Sequence, residues 1–201
     1  YKEAKINIDE RPELDRWILS ELNTLIKKVD DNLENYELTP AARDINDFVQ
    51  EKLSNWYVRL SRRRFWKGEY NNDKVSAYQT LYECLLNVSK LISPIAPFYS
   101  EHIFQSLNIV TNKEKFESVH ISSFPLSFPD QIDTKLENKI NQIRNICSLA
   151  LSIRKKEKIK VRQPLKKIII PVKNDAEKKE IIDAKSQIIS EINVKSIEFL
   201  D

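Results

Sequence analysis

The 201-residue sequence contains no methionine and a single glycine, Gly68. Loops that cradle phosphates need several glycines, for tight turns and for close approach of the backbone, so a Walker loop or a dinucleotide fingerprint is excluded. The lack of methionine, with Tyr1 first, predicts a piece of a longer protein, because an initiator methionine is not normally trimmed before a bulky residue. There are two cysteines, Cys84 and Cys147, far apart and each inside an apolar helical pattern. They make no disulfide framework and read as free core thiols in a reducing compartment. No apolar run approaches the ~20 residues that cross a bilayer. The start carries no signal-peptide pattern, so nothing there points to secretion. His102 and His120 are not at ligand spacing with each other or with either cysteine, which argues against zinc. No serine or cysteine has a base at a recognisable spacing, and Asp30-Asp31 reads as a helix-end pair. The sequence therefore shows no catalytic machinery, no cofactor-binding residue and no metal ligand.

What is present is a helical pattern. The hydrophobic fraction of 41% excludes wholesale disorder. A first helix is predicted from Pro12, with Glu13 and Asp15 suited to its dipole and Leu14, Ile18, Leu22, Leu25 and Val29 as its apolar stripe. Thr39-Pro40 is a second start signal, after which the pattern runs unbroken to Lys67, with Gly68 as a left-handed cap. Asn72 or Asp73 can cap a third helix, whose stripe runs from Val75 to Leu91 or Ile92. Pro94 and Pro97 break it and start a short fourth helix carrying Phe98, Ile103, Phe104 and Leu107. Residues 108–130 lack a sustained period and read as a linker packed on the bundle. A fifth helix follows, with Leu136, Ile140, Ile143, Cys147, Ala150 and Leu151 on one face. Leu165–Pro171 suits a buried strand, Asn174–Ser190 a helix, and Val194–Leu200 alternates as a half-exposed strand does. The fold class expected is mainly α: an antiparallel helical bundle with its linker over residues 1–130, then a long helix and a small α+β unit over residues 131–201.

The net charge is only +3, but basic residues cluster. Five fall between Arg59 and Lys67 with no acid, and eight between Arg154 and Lys167 against the single Glu157. Local clustering, more than the total, attracts a polyanion. In helical register, Ile45, Val49, Leu53, Trp56 and Leu60 form a core stripe that continues into Arg63, Arg64 and Lys67. Arg59 and Trp66 fall on one flank, Tyr57 lies on the other beside Arg64, and Arg62 lies further round. Burying guanidinium groups without partners is costly. Either carboxylates of neighbouring helices pair with these arginines in a structural network, or the helix end projects as an electropositive surface with aromatic rings for phosphates and unstacked bases. Trp56 reads as core and Trp66 as the exposed ring. In the second cluster Lys155 and Lys156 suit a solvated helix end, whereas Arg162 and Gln163 alternate with apolar residues in a stretch read as extended.

SNWYVRLSRRRFWKGE (54–69), with AYQTLYECLLNVSKLISPIAPFYSEHIF (77–104), resembles the C-terminal anticodon-binding region of the isoleucyl-tRNA synthetases, class I aminoacyl-tRNA synthetases. LDRWILSELNTLI, ESVHISSFP, SIRKKEKIKVRQPLKKIIIP and EINVKSIEFL resemble further segments of that family in the same order, and Ser122-Ser123 departs from it where an acidic residue is common. Valyl-, leucyl- and methionyl-tRNA synthetases share the bundle; the triple arginine with its following Phe-Trp favours isoleucine. The resemblance implies a cytoplasmic parent enzyme that uses ATP, with magnesium, to attach isoleucine to its tRNA. Its catalytic and editing domains are not in this sequence, so the chain alone is expected to be inactive. It also implies that this region binds isoleucine-specific tRNA, with Arg59, Arg62, Arg63, Arg64 and Lys67 on phosphates or bases, Trp66 stacking, and Lys160 and Arg162 as a second contact. The rival expectation is a structural, protein-interaction module whose arginines are locked in internal ion pairs.

Overall fold

The computed structural model describes residues 5–67 and 69–200; Gly68, expected as a helix cap, lies outside the described residues. The chain is mainly helical and divides into two compact units, one ending at Asp133 and the other beginning at Thr134.

The first unit is built on α1 (Glu13–Glu34), which follows Pro12 and carries Glu13 and Asp15 in its first turn. Trp17, Ile18, Leu22, Leu25, Ile26 and Val29 are buried along it. A fully buried side chain of this size contributes about 1.5–3 kcal/mol of hydrophobic stabilisation. The next helical stretch begins at α2 (Leu38–Asp47), so Thr39 lies inside its first turn and does not cap it. The single unbroken helix expected to Lys67 is not formed. A π-helical segment spans Phe48–Val58, the chain turns at Ser61, and α3 covers only Arg62–Trp66. Three contacts in descending order show that this stretch runs antiparallel to α1. Asn32 donates to Asp44, Lys52 pairs with Glu21, and Tyr57 donates to Asp15.

α4 (Asn72–Ile92) is capped by Asn71, whose side-chain oxygen accepts from the Lys74 amide at 3.0 Å, one residue before the caps expected. It also runs antiparallel to α1, with Ser76 opposite Asp15, and Thr80 and Glu83 against the buried Arg11. α5 (Pro97–Thr111) starts on its proline and buries Phe104, while Phe98 in its first turn is 92% exposed. The segment after α5 holds short 3-10 turns at Val119–Ile121 and Pro129–Gln131. It is tied to α1 by Asn23, which accepts from the Phe128 amide at 2.9 Å and whose carbonyl accepts from Ser127 Oγ at 3.0 Å.

The second unit opens with α6 (Thr134–Lys156), which buries Ile140, Ile143 and Cys147. β1 (Ile168–Pro171) and β2 (Ile197–Leu200) pair in parallel, Ile168 opposite Ile197, with an isolated bridge between Leu165 and Val194. A parallel pair needs a crossover, and two helices supply it. These are α7 (Asp175–Asp183), capped by Asn174, and α8 (Lys185–Ile192). One helix was expected here; the chain breaks at Ala184. Ile181, Ile188 and Ile192 are buried.

Candidate nucleic-acid interface

Bonding of the i→i+5 kind takes more residues per turn than an α-helix, so it moves every later side chain off the α register. That shift corrects the stripe read from the sequence. Phe48, Leu53, Trp56 and Tyr57 are buried in or beside the π segment, whereas Val49 is only half-buried. Beyond the turn at Ser61, Arg64 alone among the three consecutive arginines points inward; Arg63 and Lys67, expected to continue the core stripe, are exposed.

Arg64 meets a carboxylate that is fully out of solvent. Asp15 is 0% exposed and accepts from Arg64 Nη1 at 2.6 Å, Arg64 Nη2 at 2.8 Å, Ser76 Oγ at 2.6 Å and Tyr57 Oη at 3.0 Å. Arg64 also reaches Asp73, its Nε donating to Oδ2 at 3.1 Å and its Nη2 to the carbonyl at 2.9 Å. Bidentate, charge-assisted bonding of this kind is the strongest class of protein hydrogen bond. Burial opposes the charge of Arg64, but the hydrogen bonds to Asp15 and the charge of that carboxylate outweigh it and raise the guanidinium above its ordinary value. Burial, with the Asp15 charge adding to it, likewise pushes the Tyr57 hydroxyl far above the tyrosine range, so it remains a donor. Phe65 completes the anchor. Its ring meets Tyr78 edge-on with centroids 5.3 Å apart, and its carbonyl accepts from Tyr78 Oη at 3.2 Å.

Pinned by Arg64 and Phe65, the short α3 shows its other side chains to solvent. Arg62, Arg63 and Lys67 are exposed and have no ion-pair partner among the described residues; Trp66 is 82% exposed. Arg59 is exposed as well, its guanidinium 5.9 Å from the centroid of the buried Trp56 ring, within cation–π reach. The two readings weighed for the arginines thus apply to different residues: Arg64 belongs to a structural network, and the others line an electropositive surface with one protruding aromatic ring. Arg64, expected among the contacts, has its guanidinium taken up by the fold.

The second basic stretch is not extended as expected. The Gln163 amide donates to the Lys160 carbonyl at 2.9 Å, closing a tight turn with Val161 and Arg162 at its centre. Lys160 and Arg162 are both exposed. Nothing in the local alternation of IKVRQPL signals that turn, because the groups that hold it are backbone carbonyls gathered by a side chain of α6. The roles of Asp15 and Asp73 also escaped sequence reasoning. Asp15 is legible as a helix-dipole residue, but its partner lies 49 positions away. The clue available was the pair of buried-helix signals itself: an arginine on a core stripe demands an acid on the facing helix. Among the described residues no cluster of histidine, cysteine and carboxylate groups could hold a metal ion.

Comparison with known proteins gives a consistent result. A family model described as the anticodon-binding domain of tRNA ligase matches residues 15–170. The chain is 50% identical, over 201 residues and its full length, to an isoleucine–tRNA ligase of Bacteroides thetaiotaomicron, of which it covers 17%. It is 50% identical over 200 residues to that of Porphyromonas gingivalis, with 100% of the chain and 17% of the relative covered. The corresponding protein of Dehalococcoides mccartyi is 47% identical over 188 residues, 94% of this chain and 18% of the relative. The chain therefore spans less than a fifth of the length of these relatives.

Proposed function

This chain belongs to the anticodon-binding domains of tRNA ligases, and we propose that it is the tRNA-holding part of an isoleucine–tRNA ligase. The exposed guanidinium and ammonium groups of Arg59, Arg62, Arg63 and Lys67 contact phosphates. Trp66, the ring left in solvent, stacks on a base of the anticodon region, and Lys160 and Arg162 make a second contact. Arg64 acts from behind, fixing α3 through Asp15 and Asp73. Loop bases splay out of a stem and offer their faces and edges, which suits exposed arginine and aromatic side chains. The two units, one ending at Asp133 and the other beginning at Thr134, then serve as separate contact bodies. Activation of isoleucine with ATP and magnesium, its transfer to tRNA, and editing fall to other parts of the longer cytoplasmic enzyme. No helix among the described residues is long and apolar enough to cross a membrane.

The observation that carries this reading is the exposure of Arg62, Arg63, Trp66 and Lys67 together on a turn whose only inward arginine is fully engaged. Titration of the chain with isoleucine tRNA at several salt concentrations tests it. Each phosphate contact adds about 0.7–0.9 to the slope of log affinity against log salt, and removing Trp66 costs about 1–3 kcal/mol if its ring stacks. A flat salt response, or equal affinity for unrelated RNAs, overturns the proposal.

A further inference from the structure

Arg154 lies near the end of α6 and is only 3% exposed, yet no carboxylate pairs with it among the described residues. Its guanidinium instead donates to three backbone carbonyls: Nη1 to Lys160 at 3.2 Å and to Gln163 at 3.0 Å, and Nη2 to Asn193 at 2.9 Å. Asn193 caps α8 in a left-handed conformation, with φ 50°, and its side chain donates to the Val161 carbonyl at 2.9 Å. The carbonyls of residues 160 and 163 are thereby turned toward the buried Arg154, and that of residue 161 is held by Asn193 at the surface. With these carbonyls held, the side chains of Lys160 and Arg162 stand out in solvent.

Burying a charge is costly unless it is paired or fully hydrogen-bonded. Carbonyls take three of the five N–H groups of Arg154, and among the described residues no carboxylate cancels its positive charge. In sequence Arg154 is followed by the exposed Lys155, Lys156 and Lys158, with Glu157 as the one acid among them. A fold that needed only a peg could use a neutral donor. A guanidinium here supplies a rigid fork of donors and adds to the positive potential at the turn.

We propose that Arg154 is the positioning residue of a second tRNA contact: it holds the Lys160–Gln163 turn so that Lys160 and Arg162 meet backbone phosphates. This rests on the reading of the chain as tRNA-binding. Arg154 does not touch the RNA; it acts through the turn.

Salt-dependent titrations of the full chain with isoleucine tRNA test this with K160A/R162A, R154Q, R154K and the triple variant R154Q/K160A/R162A. Removing the two displayed cations lowers the salt slope by about 1.4–1.8, at 0.7–0.9 per phosphate contact. R154Q lowers it by most of that amount, and the triple variant falls no further than K160A/R162A. R154K keeps the charge but loses the fork, and it behaves as R154Q does. A slope unchanged in R154Q, a further drop in the triple variant, or an R154K variant equal to the unaltered chain overturns the positioning role while leaving tRNA binding intact. An unaltered chain that binds no tRNA overturns both. Where circular dichroism shows R154Q unfolded, hydrogen exchange of the unaltered chain decides. The Gln163 amide is protected and gains protection with tRNA; fast exchange there beside a protected α6 sinks the proposal.

Discussion

Arg64 and Arg154 each sit within a basic stretch and each turns inward, yet the groups that receive them differ in kind. Arg64 is taken by two carboxylates, Asp15 on α1 and Asp73 on α4, so its charge is cancelled and its geometry depends on three helices being in place. Arg154 is taken by carbonyls of its own unit, so its position is fixed while no carboxylate among the described residues cancels its charge. Both stretches give up one arginine to shape the display of the rest. A count of basic residues therefore overstates the contacts either surface can make, and the buried member of each cluster is where geometry is decided.

The comparison implies unequal costs, and the largest is at the cancelled pair. Arg64→Ala leaves the buried Asp15 charge without its ion-pair partner, which costs about 3–5 kcal/mol. Asp15→Ala, though Arg64 keeps Asp73, strips Arg64, Tyr57 and Ser76 of their shared acceptor at a cost of similar order. Urea unfolding measures this, and a loss below about 1 kcal/mol would show the pair to be dispensable. Next in size is Tyr57→Phe, which removes a donor to the Asp15 carboxylate while Arg64 and Ser76 still hold it. A hydrogen bond to a charged group contributes about 1.5–3 kcal/mol, so the same unfolding assay should place this variant below the first two. By contrast, Arg62→Ala and Arg63→Ala should change stability by no more than about 0.5 kcal/mol, as substitutions at exposed positions do. A loss as large as that of Arg64→Ala would erase the distinction between anchor and displayed arginines.

The smallest effect lies outside both basic stretches, at Glu101 of α5. Its carboxylate accepts from the Val119 amide and from Ser118 Oγ, each at 2.9 Å, and from Gln105. Burial opposes the charge, but these bonds together outweigh it and hold the carboxyl below its ordinary value. A group lowered on folding contributes stability that is complete above its unfolded pKa and is lost as pH falls through the folded one. Thermal melts across the acid limb should therefore be flatter for Glu101→Gln than for the unaltered chain. Identical pH profiles would remove Glu101 as a cap of the segment after α5.

α1, α4 and α6 were legible because their apolar residues recur at helical spacing and their ends carry suitable residues: Pro12 before α1 and the asparagine-rich turn before α4. The break between Phe48 and Ser61 was not, since apolar spacing alone does not distinguish i→i+5 from i→i+4 bonding, and the extrapolated register put Arg63 and Lys67 inward in error. Trp66 was readable as an exposed ring from its place at the end of the basic run. The pairing of Arg64 with Asp15 was not, because contacts between helices carry no local signal. The turn at Lys160 was missed for a related reason: its cause is the side chain of Arg154, six residues earlier on another element.

The most direct test of the account is the salt dependence of isoleucine tRNA binding by R62A/R63A/K67A beside the unaltered chain. If these three side chains contact phosphates, the slope falls by about 2.1–2.7, at 0.7–0.9 for each, while the thermal midpoint stays where it was. An unchanged slope with an unchanged midpoint would contradict it, leaving α3 as scaffold alone.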